Sequence, residues 1–189
     1  FISNSSTRIG GAIWVSSQAT LDEKVEILNS TFAQNEMQGN SGWGDIGGGA
    51  IFVDSGAVSL INCTITQNYS DKFGGGLYAS SSAVTTVRNT IVAGNIAGSA
   101  GNDIWGVVFS QGNNLIGDAG GATGLTDGQK SDQVGTLANP IDPLLGPLAD
   151  NAGPTLTHAL LPGSPAIDTG KNVDAPATDQ RGIVRPQDG

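Results

Sequence analysis

The side chains able to do chemistry are few in this chain and widely spread. Asp118, Asp127 and Asp132 lie among glycines in one stretch, and Asp168, Asp174 and Asp179 follow further on. Oxygen-only donors of this kind suit Ca²⁺, so Asp118, Asp127 and Asp132 are the candidate ligands, although no EF-hand spacing is present. Hydrolysis of a glycoside needs two carboxylates at a set separation. Asp45, Asp54, Asp71 and Asp103 fall in no common strand position, and the adjacent Asp22-Glu23 reads as a solvated turn. A polysaccharide lyase on repetitive β-structure would combine acidic Ca²⁺ ligands with a base, yet Arg8 and Arg88 are the only arginines before the tail. His158 is the sole histidine, so any Ser-His-Asp triad must use it. An imidazole bracing the tail against the rest of the chain is the simpler account. Cys63, the single cysteine, shares a repeat position with Ser30 and Thr90, which points to a small side chain in a turn. No zinc-like Cys/His spacing exists. The residues therefore read as non-enzymatic.

Two short patterns alternate along the chain. One is an apolar residue, two small or polar residues, then Asn: Phe1 to Asn4, Phe32 to Asn35, Ile65 to Asn68 and Val92 to Asn95. The other is Gly-Gly before an apolar run: Gly10-Gly11 before Ala12-Ile13-Trp14-Val15, Gly48-Gly49 before Ala50-Ile51-Phe52-Val53, and Gly75-Gly76 before Leu77-Tyr78. Gly101-Asn102-Asp103-Ile104-Trp105 is a weakened fourth copy. A further asparagine position holds Asn29, Asn62 and Asn89, with Asn113 or Asn114 next. The first two intervals of that column are 33 and 27 residues. Constant order with variable spacing means loops of different length on a repeating scaffold.

Each unit holds three short strand-like segments and no helical periodicity. Such segments are stable only when equivalent ones stack, each unit bonding to its neighbours. The expected fold is all-β: a right-handed single-stranded parallel β-helix, or solenoid, over residues 1–117. Paired glycines suit corners with positive φ or close backbone approach, and stacked asparagines suit turns and ladders. Phe32, Ile65 and Val92, with Ile13, Ile51 and Leu77, should fill the interior. Trp14, Phe52, Tyr78 and Trp105 should face outward, where they could stack on sugars. All eight prolines lie between Pro140 and Pro186. Proline cannot donate to a ladder, so residues 118–189 read as a protruding Gly/Asp-rich loop and an extended proline-rich C-terminal wrap. Ile141, Leu144, Leu145, Leu148, Leu156, Leu160, Leu161 and Ile167 are its expected anchors, and the whole is one structural domain.

The bulk properties narrow the partners. Only 13% of residues are charged, 38% are hydrophobic, and the net charge is −9. Without a basic stripe the chain is a poor binder of nucleic acid. No apolar stretch approaches a membrane span, and no signal peptide is visible. Sequons occur at Asn4, Asn29, Asn62 and Asn68, with Asn4 and Asn68 the better candidates for N-glycosylation on turns. The chain starts within a repeat, which suggests a processed or truncated piece whose exposed strand edges stack on neighbouring domains of one precursor or on other copies of itself.

The alternating motifs resemble those of polymorphic-outer-membrane-protein-like β-helices. The tail sharpens the match: Asp142-Pro143-Leu144-Leu145-Gly146-Pro147-Leu148-Ala149-Asp150-Asn151-Ala152-Gly153-Pro154, then His158-Ala159-Leu160-Leu161-Pro162-Gly163-Ser164-Pro165-Ala166-Ile167-Asp168 and Thr178-Asp179-Gln180-Arg181-Gly182. These resemble the bacterial choice-of-anchor Q surface proteins across nearly the whole chain. That resemblance implies a right-handed β-helix, export and cell-surface display, with no catalytic reaction. Members of that family usually continue into a closing strand and then an anchor, whereas the sequence here stops at Gly189. The resulting expectation is an extracellular structural or adhesive module, able to assemble end to end into a fibre. A glycan-binding module and a polysaccharide lyase or hydrolase are the alternatives.

Overall fold

A computed structural model describes residues 1–16, 24–39, 46–173 and 175–185. Asp22, Glu23, Asp45 and Asp174 lie outside the described residues.

The chain is all-β, and its sheets are mostly parallel. The reason lies in the repeat: each short strand pairs with its equivalent in the next unit. Ile13–Val15, Ile51–Val53, Leu77–Ala79 and Ile104–Ser110 form one ladder in strict register. Lys24–Leu28, Gly56–Ile61 and Ala83–Arg88 form the next, which closes on the second half of Ile104–Ser110. Thr31–Ala33, Thr64–Thr66, Ile91–Val92 and Leu115–Ile116 form a third. The short strands Ser5–Ser6, Glu36–Met37, Tyr69–Ser70 and Ile96–Ala97 form a fourth. The register brings Phe32, Ile65, Val92 and Ile116 into one fully buried column, and Ile51, Leu77 and Ile104 into another.

The glycine pairs have a divided purpose. Gly10, Gly48, Gly74 and Gly101 take positive φ, between 55° and 79°. The glycines that follow are needed for closeness: a Cβ on Gly11 or Gly49 would sit 2.0 Å from a carbonyl oxygen of the next unit. In the fourth copy this position is Asn102, whose side chain donates instead to Asp118.

Three expectations need correction. Pairing does not stop at Gly117, because Gly121–Thr123 pairs with the Trp105 strand and Gln133–Val134 with Leu115–Ile116. Residues 118–134 are thus partly a further layer, with Ala119, Ala122, Leu125 and Val134 packed on the core. The tail is also not wholly extended: Leu145–Ala149 and Thr157–Leu160 form an antiparallel hairpin. Of its expected apolar anchors, Leu144, Leu156, Leu160, Leu161 and Ile167 are exposed, while Ile141, Leu145 and Leu148 are half-buried. Polar bonds to the stack also hold the tail.

Candidate binding cleft

Two asparagine columns do two different jobs. In the first, Asn4, Asn35, Asn68 and Asn95 stack as an internal ladder. Each carboxamide Nδ2 donates to the next Oδ1 at 2.8 Å, and the last donates to Asp103. The same Oδ1 atoms accept the backbone N–H of the preceding asparagine. The left-handed corner falls on the preceding residue, as at Gln34 and Gln67. Asp103 arrives from the Gly-Gly strand rather than from the column, and its second oxygen accepts the N–H of Asp118 at 2.7 Å. Burial pushes its carboxyl up to about 6, against the lowering effect of the bonds from Asn95 and Asp118.

A second internal ladder runs through Cys63, Thr90 and Asn114. The Cys63 N–H donates to Thr90, the Thr90 N–H to Asn114, and both the N–H and Nδ2 of Asn114 donate to Asp132. Both ladders thus end on a buried carboxylate, which only accepts.

In the other asparagine column, Asn29, Asn62, Asn89 and Asn113 themselves take positive φ, between 45° and 60°. Their carboxamides project from the stack and hold the tail in reverse order. Asn113 donates to Thr169 O, and Asn89 donates to Lys171 O while accepting the Lys171 N–H. Asn29 donates to Thr178 O. Gln133 and Thr31 add bonds to Pro165 O and Gln180. Asn62 is the exception: among the described residues its carboxamide donates only to Asn29, at 3.4 Å.

Where the tail leaves the column at Asn62, a half-open cleft lies between stack and tail. It has two lobes of about 400 and 470 Å³. Asn62, Thr64, Ile91, Leu160 and Arg185 border both lobes. Ile91 stacks in register on Thr64, so a hydroxyl and an apolar side chain adjoin on one strand face. Arg185 donates to Asn29 Oδ1 at 3.2 Å. Burial lowers its pKa, and among the described residues no carboxylate forms an ion pair with it. Asp179 is engaged by Arg181 at 2.7 Å. Burial opposes the ionised form of Asp179, but bonds from Arg181 and the Ile183 N–H outweigh that and lower its pKa. His158 Nδ1 lies 2.7 Å from Gly146 O, so that nitrogen carries a proton. The imidazole therefore braces the tail hairpin internally rather than against the stack. Its Nε2 is buried and has no hydrogen-bond partner.

The other candidates are dispersed. Asp118 accepts from Asn102 and Gly120, Asp127 from the Val134 N–H, and Asp132 from Asn114. They are turn and ladder acceptors that do not converge. Among the described residues no three His, Cys, Asp or Glu side chains form a metal-binding group. Asp54 and Asp71 bond to local hydroxyls and amides. Cys63 is buried, which pushes its thiol up to about 11 and leaves it inert as a nucleophile. Trp14, Phe52, Tyr78 and Trp105 do stack in register. Trp14 is exposed and Tyr78 and Trp105 are half-buried, but Phe52 is only 2% exposed and packs 4.9 Å from Tyr78. Phe52 is therefore not a surface aromatic. Asn68 is 1% exposed inside the ladder, which removes it as a glycosylation site in the folded chain; Asn4 is exposed, and Asn29 and Asn62 are half-buried.

Sequence reasoning grouped the asparagines by column and missed the cleft, because only the tail's path distinguishes Asn62 from Asn29 and Asn89. No family model matches the chain, and no curated protein or solved structure does either. No described helix is long and apolar enough to cross a membrane.

Proposed function

We propose that this chain is a section of right-handed parallel β-helix serving as a non-enzymatic structural or adhesive module at a bacterial cell surface. The resemblance of its tail to choice-of-anchor Q proteins belongs to the same proposal. The observation that carries it is how the buried polar groups are used. Asn35, Asn68, Asn95, Asp103, Asn114 and Asp132 are all bound into two ladders along the stack. Carboxylates bound as ladder ends serve rigidity and are not free as acid, base or nucleophile.

The glycan-binding alternative keeps one supporting observation, the cleft at Asn62. Assembly into a fibre through a continuous asparagine ladder is disfavoured. The ladder's donors all point toward Asp103, and a carboxylate has no N–H to pass to a further copy.

The test is incubation of the purified chain with acidic and neutral polysaccharides, followed by assay for new reducing ends and unsaturated products. The proposal expects neither, with retention of the chain on one or more of the polymers. Turnover abolished by replacing one carboxylate would overturn the non-enzymatic reading.

A further inference from the structure

We propose that the cleft at Asn62 binds an acidic saccharide, taking its carboxylate at Arg185 and its hydroxyls at Asn62 and Thr64. This deepens the adhesive reading and rests on it. The contacts between the asparagine column and the tail form a regular pattern with one gap. Asn113, Asn89 and Asn29 each hold a backbone carbonyl of the tail, at 2.7–2.8 Å. Asn62 has the same left-handed backbone and the same outward carboxamide, yet among the described residues no tail group bonds to it. Its oxygen and one amide hydrogen are left for whatever enters the cleft.

The remaining lining selects the ligand. A pyranose presents an apolar C–H face and a rim of hydroxyls. Ile91 and Leu160 supply apolar surface beside Thr64 and Asn62, and all four border both lobes. Arg185 lies at the same junction and forms no ion pair among the described residues. A partly desolvated guanidinium favours a planar carboxylate, which it can hold through two bonds. The charge balance agrees. The lining residues include Arg181, Arg185 and Lys171 against Asp168 and Asp179. That is a locally cationic cleft on a chain of net charge −9. The lobes are of the size that holds one or two sugar rings.

The experiment is calorimetric titration of the whole chain with a glucuronate-containing disaccharide and with the analogue whose carboxylate is reduced to hydroxymethyl. The acidic sugar should bind at least tenfold more tightly, and raising NaCl from 50 to 500 mM should narrow that difference. Thr64→Val keeps the shape and touches no tail bond, and Asn62→Gly keeps the left-handed backbone. Each should weaken binding several-fold without changing the melting temperature by more than a few degrees. Arg185→Gln should erase the preference for the acid. Equal affinity for the two sugars, no binding at millimolar concentration, or binding indifferent to Thr64→Val and Asn62→Gly would each overturn the site. Those failures differ from failure of the module reading, because cleavage of a bound sugar would remove the non-enzymatic claim and leave the site standing.

Discussion

Asp103 ends the asparagine ladder, and replacing it by Asn tests whether that end needs a pure acceptor. Its Oδ1 takes two N–H bonds from Asn95, and its Oδ2 takes one from Asp118. An asparagine there has one oxygen. Turned either way, its NH₂ faces an N–H that was bonded before. The loss is one buried hydrogen bond with donors left unsatisfied, about 1–3 kcal/mol. Against this stands the cost of ionising a buried group. Burial raises the carboxyl from 3.8 to about 6, so the ionised form costs the fold on the order of 3 kcal/mol. The sign follows from linkage. Below pH 3.8 the group is protonated in both states and adds no pH dependence. Between 3.8 and about 6 the folded state holds the proton more tightly, so stability falls as pH rises; above 6 the full cost is present.

The assay is urea unfolding of the wild type and of Asp103→Asn at pH 4, 5, 6 and 7. The variant carries no such titration. Relative to wild type it should gain on the order of 3 kcal/mol between pH 4 and pH 7. At pH 7 the two effects largely offset, and the proteins should differ by no more than about 2 kcal/mol. At pH 4 the variant should be the weaker. Parallel curves across this range would refute the reasoning, because the three N–H bonds would then fully compensate burial.

Other substitutions probe separate parts of the fold. Thr85 lies fully buried in register with Val58 and Val108, and its hydroxyl has no partner. Thr85→Val should stabilise by about 1–2 kcal/mol, seen as a rise of about 2–6 °C in melting temperature. Gly49→Ala places a methyl 2.0 Å from Gly75 O and should cost about 3 kcal/mol or more. Gly128→Ala, at φ +74° in open space, should cost only about 1 kcal/mol in the same denaturant titration. Asn89→Gly keeps the left-handed corner but removes both bonds to Lys171. It should speed protease cleavage near Lys171 while the unfolding midpoint stays nearly constant.

The interior was legible in the sequence because register and repeat are the same information there. Phe32, Ile65 and Val92 share a position in the motif, so stacking the motifs stacks the side chains. The glycine pairs were legible for the same reason. What escaped were features that leave the repeat. Asp103 occupies the position of Ala12 and Ala50 in the Gly-Gly motif but fills an asparagine's place in space. Asp132 looked like one of three loop aspartates, whereas it continues the column of Thr90 and Asn114. Phe52 alternates like an outward residue, but alternation fixes only the sheet face and says nothing of what covers that face. The tail's path could not be deduced from its leucines, because side-chain amides on the stack hold its backbone.

The two ladder ends share a chemical logic that gives the stack a direction. An asparagine in either ladder accepts on one side and donates on the other, so each one requires a neighbour on both sides. Extending the pattern by another asparagine only moves the unmet donor one rung further. An aspartate breaks that regress, since it satisfies the last donor and creates no new one. Both ladders reach this solution near the place where the repeat gives way to the tail, at Asp103 and Asp132. At that same end Asn102 stands where a second glycine would be, and its side chain donates to Asp118. A donor-free acceptor is therefore the mark of a last rung, supplied by the Asn114 column itself at Asp132 and by the Gly-Gly strand at Asp103.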